Sequence, residues 1–318
     1  MKKYKVIITP RSFGSVNDEP IKLLEENGFE VVRLRGDSET IAQGLNEEIA
    51  DADAIIAGLD DYNEALLSKA KKLKIISRYG VGYNNVDLEA AKRQDITVTI
   101  TPGANDDSVA DLTMALMLAA ARHVSYSDRL LRSKEEKRPT GMEMWNKTLG
   151  VIGTGRIGKG VIKRAQGFNM DVLAFDLYQD HDFANEYKVQ YTDLDVLLRK
   201  SDFITIHTPL TEGTRNLIST DEFKIMKEHA VIVNTARGGI IDEDALYKAL
   251  VNGEIGAAAM DAMLFEPPHE SPLLTLDNFT ATSHLGATTY DAIHKMSMMA
   301  VQNVLDVVNN GHSDYKVG

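Results

Sequence analysis

Residues 149–158 read Leu-Gly-Val-Ile-Gly-Thr-Gly-Arg-Ile-Gly, a short apolar run that leads into the spacing Gly-x-Gly-x-x-Gly. Gly153 permits a tight turn, Gly155 lets the backbone approach a pyrophosphate, and Gly158 lets a helix pack close to the strand. The N-terminus of that helix offers unpaired N–H groups and the positive end of a dipole to phosphates. The stretch therefore predicts a dinucleotide-binding strand, turn and helix. The alternative is an ordinary strand-to-helix turn.

Asp176 strengthens the dinucleotide interpretation because it closes the next predicted strand. Its distance from Gly158 is close to the spacing of about 20 residues expected for the acidic residue of such sites. A carboxylate there accepts hydrogen bonds from the adenosine ribose and repels a 2′-phosphate. No arginine follows until Arg199. We therefore expect NAD to be favoured over NADP.

Short β-branched runs alternate with helical stretches along most of the chain, which predicts parallel sheets with helices on their faces. The first series of predicted strands is Val6–Thr9, Phe29–Leu34, Ala54–Ala57, Lys74–Ser77 and Ile96–Ile100. The second series is Leu149–Ile152, Val172–Phe175, Phe203–His207, Val231–Asn234 and Ala257–Met260. We expect two open, doubly wound α/β sheets with a cleft between them. The last helix, about Tyr290–Val308, could return to the first sheet.

Composition excludes several classes of protein. Asp and Glu number 47 against 35 Lys and Arg, and this net charge of −12 disfavours nucleic-acid and anionic membrane partners. The longest apolar run, Met114–Ala121, is far shorter than the roughly 20 residues of a spanning helix. The chain has no cysteine, which removes disulfides and thiolate metal sites, and its histidines show no metal-binding spacing. For these reasons we expect no bound metal. The N-terminus lacks the apolar core of a signal peptide, so we expect a cytoplasmic protein.

Three functional side chains follow β-type runs: Arg237, Glu266 and His284. Hydride transfer from a hydroxy acid needs a cation for the carboxylate and a group that exchanges the hydroxyl proton. Histidine suits proton exchange near neutrality, and a nearby carboxylate favours its charged form. Ligands of open α/β sheets bind at the carboxyl ends of strands, so the three could converge there. Alternatively, Arg237 is a surface ion-pair partner and His284 a buried loop histidine.

The chain resembles the D-isomer-specific 2-hydroxyacid dehydrogenases, especially their 3-phosphoglycerate dehydrogenase branch. The resemblance covers nearly the whole sequence, and its matching stretches are Gly153–Gly158, His207–Thr211, Asn234–Gly239, Asp261–Pro267 and His284–Thr289. It implies that Arg237 binds the substrate carboxylate and carbonyl. It also implies that Glu266 pairs with His284, the acid/base.

The same resemblance assigns cofactor and substrate contacts. The cofactor contacts fall on Gly153, Gly155, Arg156, Ile157, Gly158, Asp176, Thr208, Thr235, Ala236 and Asp261, the last at the nicotinamide carboxamide. Residues 78–87 resemble the substrate loop of the family, in which backbone N–H groups near Gly80, Val81 and Gly82 would bind the carboxylate. Arg78 matches a basic position of that loop.

The resemblance also implies a domain plan and an assembly. Residues 1–101 and 287–318 would form a flavodoxin-like substrate domain, and residues 102–286 a Rossmann NAD-binding domain. Family members are expected to be homodimers. The implied activity is NAD-dependent hydride transfer between the Cα of a small 2-hydroxy acid and nicotinamide C4.

The leading substrate is 3-phosphoglycerate, which would place the enzyme in serine biosynthesis. One difference from the sequences of that branch disfavours 3-phosphoglycerate as the substrate. Several phosphoglycerate dehydrogenases bind the phosphate with an arginine after the third strand, but residues 57–61 here read Ala-Gly-Leu-Asp-Asp. The alternative substrate is an unphosphorylated 2-oxo acid such as hydroxypyruvate or glyoxylate. An alternative of a different class is an NAD(H)-sensing, corepressor-like binding protein.

Overall fold

The computed structural model describes residues 3–318, and these form two units. The first unit comprises the chain up to Asn105 together with Ala287–Gly318, and the second is Asp106–Gly286. The first boundary between the units, after Asn105, lies a few residues beyond the boundary predicted after residue 101. Residues 1 and 2, which the sequence assigns to the first domain, lie outside the described part.

The elements of both units are given in chain order. The strands are β1 Tyr4–Ile8, β2 Phe29–Arg33, β3 Ala54–Ala57, β4 Ile75–Arg78, β5 Thr97–Thr99, β6 Thr148–Ile152, β7 Asp171–Phe175, β8 Val189–Tyr191, β9 Phe203–Ile206, β10 Val231–Asn234, β11 Ala257–Met260, β12 Phe279–Ala281 and β13 Lys316–Val317. The helices are α1 Glu19–Glu26, α2 Ser38–Glu48, α3 Glu64–Leu67, α4 Leu88–Arg93, α5 Asp106–Ala121, α6 Val124–Arg132, α7 Arg156–Ala165, α8 His181–Tyr187, α9 Leu194–Lys200, α10 Thr220–Ile225, α11 Glu243–Asn252 and α12 Tyr290–Asn310.

The sheet of the first unit has the order β13-β5-β4-β3-β1-β2. It is parallel except at β13, which pairs antiparallel with β5. Without β13 this is the flavodoxin order, in which the winding reverses between β1 and β3. Helix α12 packs against β4 and β3 and buries Ala300, Val301 and Val304 in the same apolar cluster, so the C-terminal helix completes this unit.

The sheet of the second unit has the order β12-β11-β10-β9-β6-β7-β8, and all of its pairs are parallel. Its winding reverses between β6 and β9, which is the Rossmann arrangement. Its central strands β9, β10 and β11 are buried at every position because helices cover both faces. The two sheets confirm the predicted α/β architecture.

Three short elements were not predicted from the sequence. Strands β8 and β13 contain three and two residues, too few to show a periodic pattern. Helix α6 follows α5 closely: only Arg122 and His123 separate the two, and His123 has a left-handed φ of 52°. Between residues 3 and 318, no helix is both long and apolar enough to cross a membrane.

Candidate active site

His284 and Glu266 lie in contact in the second unit. The Nδ1 atom of His284 is 2.8 Å from Oε2 of Glu266 and 3.0 Å from Oε1. An ionised carboxylate only accepts hydrogen bonds, so Nδ1 carries the proton and donates it. The neutral ring then keeps Nε2 as its proton-accepting atom. The histidine side chain is 28% exposed, so a small ligand can reach it.

The Glu266 carboxylate connects two loops. Its Oε1 atom also accepts a hydrogen bond from the backbone N–H of Met263 at 3.2 Å, within the loop that follows β11. His284 belongs to the loop after β12, the neighbouring parallel strand. Because both loops leave the carboxyl ends of adjacent strands, the acid and the imidazole meet there.

Asp261 holds the loop that carries His284. Its side chain is only 3% exposed. Oδ1 accepts from Thr282 Oγ1 and from the Leu285 N–H, each at 2.6 Å, and Oδ2 accepts from the Gly286 N–H at 2.8 Å. The Asp261 carbonyl accepts from the His284 N–H at 3.0 Å. These four bonds hold His284 at its positive φ of 55°.

The family resemblance assigns Asp261 to the nicotinamide carboxamide, and no sequence pattern indicated this loop contact. A carboxylate has about four acceptor sites, so the carboxamide contact stays a prediction beside the observed bonds. Asp261 is therefore a positioning residue for the histidine in addition to its predicted cofactor role.

Arg237 follows β10 and is half-buried. Its Nη1 atom donates to the Ala236 carbonyl at 2.7 Å. Burial lowers the pKa of the Arg237 guanidinium, and the nearby Glu266 carboxylate opposes that shift. An arginine nevertheless stays charged at neutral pH. A Cβ on the next residue, Gly238, would overlap the backbone of Met263, so only glycine lets the two loops pack together.

Two buried side chains support the arginine loop, and the sequence analysis missed both. Asn234 donates from Nδ2 to the Arg237 carbonyl at 2.8 Å and accepts from the Ala236 N–H at 3.0 Å. Thr113 of α5 hydrogen-bonds to Thr235 across 2.9 Å between their hydroxyl oxygens. A polar residue that ends the apolar run Val-Ile-Val could have signalled the first. Thr113 has no such signal, because its partner is distant in sequence.

The glycine-rich turn fits a dinucleotide pyrophosphate. A Cβ on Gly155, which precedes the first residue of α7, would meet no atom within 4 Å. A Cβ on Gly153 would lie 2.7 Å from the His207 carbonyl, and one on Gly158 would overlap the Gly153 carbonyl. The turn is therefore tight where it touches protein and open at the helix N-terminus, where phosphates bind.

Asp176 lies at the carboxyl end of β7 on an open cleft of about 900 Å³. Its Oδ2 accepts from the Thr154 N–H at 2.6 Å, and its Oδ1 accepts from the Tyr178 N–H at 2.8 Å. Lys159 also lines the cleft, but its ammonium group is paired with Asp180. A carboxylate beside a lysine that is already ion-paired suits ribose hydroxyls better than a 2′-phosphate.

The other predicted cofactor residues lie on the same edge of this sheet. Arg156 and Ile157 open α7, directly after the turn. The Thr208 N–H lies 3.0 Å from the position that a Gly153 Cβ would take. Thr235 and Ala236 follow β10. The predicted substrate residues Arg78, Gly80, Val81 and Gly82 belong to the first unit.

His207 is a second histidine at this edge, and it is kept neutral. Its Nε2 atom hydrogen-bonds to Thr205 Oγ1 at 2.9 Å, and within residues 3–318 its buried Nδ1 has no partner. Burial lowers its pKa to about 3. His207 is therefore unsuited to proton exchange near pH 7.

The depressed pKa of His207 gives an expected acid sensitivity. The unfolded chain binds a proton near pH 6.5 and the folded chain near pH 3, so stability is lost as pH falls through this window. Between pH 7 and pH 5 the wild type should lose about 1–2 kcal/mol of unfolding free energy that His207→Gln does not lose. Urea titrations of both proteins at the two pH values measure this. Equal losses in the two proteins would contradict it.

Comparison with known proteins adds to this geometry. The family model described as D-isomer specific 2-hydroxyacid dehydrogenase, NAD binding domain, matches residues 114–286. The chain belongs to the D-isomer-specific 2-hydroxyacid dehydrogenases. It is therefore an NAD-dependent oxidoreductase, as the sequence predicted.

Relatives within the family carry different substrate names. The chain is 42% identical over 308 residues to D-3-phosphoglycerate dehydrogenase of Methanocaldococcus jannaschii, covering 96% of this chain but 57% of that protein. It is 37% identical over 314 residues to glyoxylate reductase of Thermococcus litoralis, covering 95% and 93%. Among solved structures, D-lactate dehydrogenase of Aquifex aeolicus complexed with NAD and lactic acid has a TM-score of 0.80 at 28% identity, covering 95% of each chain.

Proposed function

We propose that this chain interconverts a small 2-oxo acid and its D-2-hydroxy acid, with His284 as the acid/base. The observation that carries the proposal is the 2.8 Å contact between His284 Nδ1 and Glu266 Oε2. Bound NAD supplies the hydride acceptor or donor at nicotinamide C4. The chain itself must then move one proton and hold one carboxylate.

The proton moves at Nε2 of His284. During oxidation Nε2 takes the hydroxyl proton of the substrate, and during reduction the imidazolium returns it. The Glu266 carboxylate stabilises the imidazolium and fixes the ring orientation. The Arg237 guanidinium binds the substrate carboxylate and polarises the C–O bond, because its planar fork matches a carboxylate.

For the substrate we propose an unphosphorylated 2-oxo acid of the glyoxylate and hydroxypyruvate class. The loop after β3 carries Leu59, Asp60 and Asp61 and offers no cation. The guanidinium of Arg78 is turned inward onto backbone carbonyls. Glyoxylate reductases also match this chain over more than nine-tenths of their length. The second candidate is 3-phosphoglycerate, which the 42% identity to the M. jannaschii protein favours.

The test is a set of kcat/KM values with NADH for glyoxylate, hydroxypyruvate, pyruvate and 3-phosphohydroxypyruvate. We expect glyoxylate or hydroxypyruvate to exceed the phosphorylated acid by about a hundredfold, roughly 2.7 kcal/mol of transition-state discrimination. The reverse preference would identify a phosphoglycerate dehydrogenase and its place in serine biosynthesis. Tight NADH binding without turnover of any acid would identify a corepressor-like sensor, which the names of the relatives do not favour. The homodimer and the cytoplasmic location stay predictions from the resemblance and the sequence.

A further inference from the structure

Arg78 ends strand β4 and joins two loops of the first unit. Its side chain is buried, with the residue only 2% exposed. Nη1 donates to the carbonyls of Ala57, the last residue of β3, and of Gly58, the first residue of the loop after it. Nε donates to the Gly82 carbonyl at 3.0 Å, in the loop after β4. One guanidinium therefore connects the two loops through three backbone acceptors.

The loop after β3 is a fixed partner for this connection. Thr9 Oγ1 accepts from the Gly58 N–H at 2.8 Å and lies 3.0 Å from the hydroxyl of the fully buried Tyr62. Asn85, which belongs to the loop after β4, donates from Nδ2 to the carbonyls of Gly58 at 3.1 Å and Asp60 at 2.6 Å. The Thr9 side chain thus anchors the loop after β3, and Arg78 and Asn85 both join the loop after β4 to it.

In the loop after β4, the first three residues after Tyr79 differ in whether their N–H groups have a protein acceptor. Gly80 has a φ of +139°, and its N–H donates to Thr101 Oγ1 at 2.9 Å. The family resemblance assigned this N–H to the substrate, but in the structure it is bonded to Thr101. Across residues 3–318, the N–H groups of Val81 and Gly82 donate to no protein acceptor. Both residues are half-buried.

We infer that Arg78 is a positioning residue, which orients the Val81 and Gly82 amides for the carboxylate of the 2-oxo acid. The inference rests on the proposed function. It replaces the expectation that Arg78 touches the substrate, because a buried guanidinium needs its hydrogen-bond partners. Turning it toward a substrate phosphate would remove the contacts that shape the loop.

The test compares Arg78→Gln and Arg78→Lys with the wild type on hydroxypyruvate and 3-phosphohydroxypyruvate. We expect Arg78→Gln to raise the KM of both acids at least tenfold and by the same factor. The dissociation constant of NADH should change less than twofold, since the cofactor residues lie in the other unit. Lysine retains the charge but loses the fork, so Arg78→Lys should show a similar though smaller rise.

A second measurement separates positioning from a general loss of structure. Glycolaldehyde lacks the carboxylate of hydroxypyruvate, so the preference for hydroxypyruvate over glycolaldehyde should fall at least fivefold in Arg78→Gln. Guanidinium ion at tens of millimolar should partly restore that preference in Arg78→Ala. The matched control is Arg93→Gln, since Arg93 belongs to the same unit and its exposed side chain pairs with Glu64. The control should behave as wild type.

Two outcomes would overturn the inference. A rise in KM confined to 3-phosphohydroxypyruvate would assign Arg78 to direct phosphate binding. An unchanged KM for both acids in both variants would remove any role in substrate binding. Both outcomes are measured as a ratio of the KM of the variant to that of the wild type. The proposed function fails in a different way, namely if the wild type itself reduces no 2-oxo acid.

Discussion

His284→Ala is expected to lower kcat by about 10²–10⁴-fold, the usual contribution of a positioned general acid or base. The reason is that Nε2 of His284 is the proton-exchanging atom, and the 2.8 Å contact of Nδ1 with Glu266 holds it in that tautomer. Steady-state kinetics with NADH and the best 2-oxo acid measure the loss. The dissociation constant of NADH should change little, because the cofactor turn and Asp176 are untouched.

His269→Ala is a suitable control for this experiment. His269 is exposed and lies three residues from Glu266 in sequence. Its removal should leave kcat within twofold of the wild type. Turnover by His284→Ala close to the wild-type rate would remove His284 from the mechanism, whatever the control shows.

The sequence was sufficient to predict features that are formed by residues close to one another in the chain. The glycine turn at residues 153–158 is a local feature, because its three glycines lie in one contiguous strand-turn-helix segment, although Gly153 also packs against the His207 carbonyl from the loop after β9. The strands β9, β10 and β11 were recognisable because burial on both faces makes them continuous apolar runs. The pairing of Glu266 with His284 was implied by family resemblance, and in the structure the two side chains are in contact.

Contacts between distant segments could not be predicted from the sequence. The bonds from Asp261 to Thr282, Leu285 and Gly286 depend on β11 and β12 being neighbours in the sheet. The partners of Arg78 are backbone carbonyls, which every residue possesses, so no residue pattern marks them. A basic residue in a substrate loop is therefore read from sequence as a ligand-binding cation even where it holds the backbone.

Arg237→Lys is expected to lower kcat/KM for the 2-oxo acid by about 10²–10³-fold, the range observed when one donor to a developing charge is lost. Lysine keeps the positive charge, so the fall in kcat/KM measures the contribution of the guanidinium geometry. A guanidinium presents a planar fork to a carboxylate, whereas an ammonium group is a point charge on a flexible stem. The Arg237 loop cannot shift to compensate, because Asn234 binds the Arg237 carbonyl at 2.8 Å and Gly238 packs against the Met263 backbone.

The effect of Arg237→Lys should be specific to the substrate. NADH affinity should be retained, and the unfolding free energy should stay within about 1 kcal/mol of the wild type, because charge and chain length are similar. Arg129→Lys is the matched control, since the exposed Arg129 side chain contacts Asp277 and the Tyr126 ring and lies in the same unit. If Arg237→Lys and Arg129→Lys gave the same kcat/KM, the planar fork of Arg237 would not be needed for the carboxylate, which would have to be bound by other groups such as backbone amides.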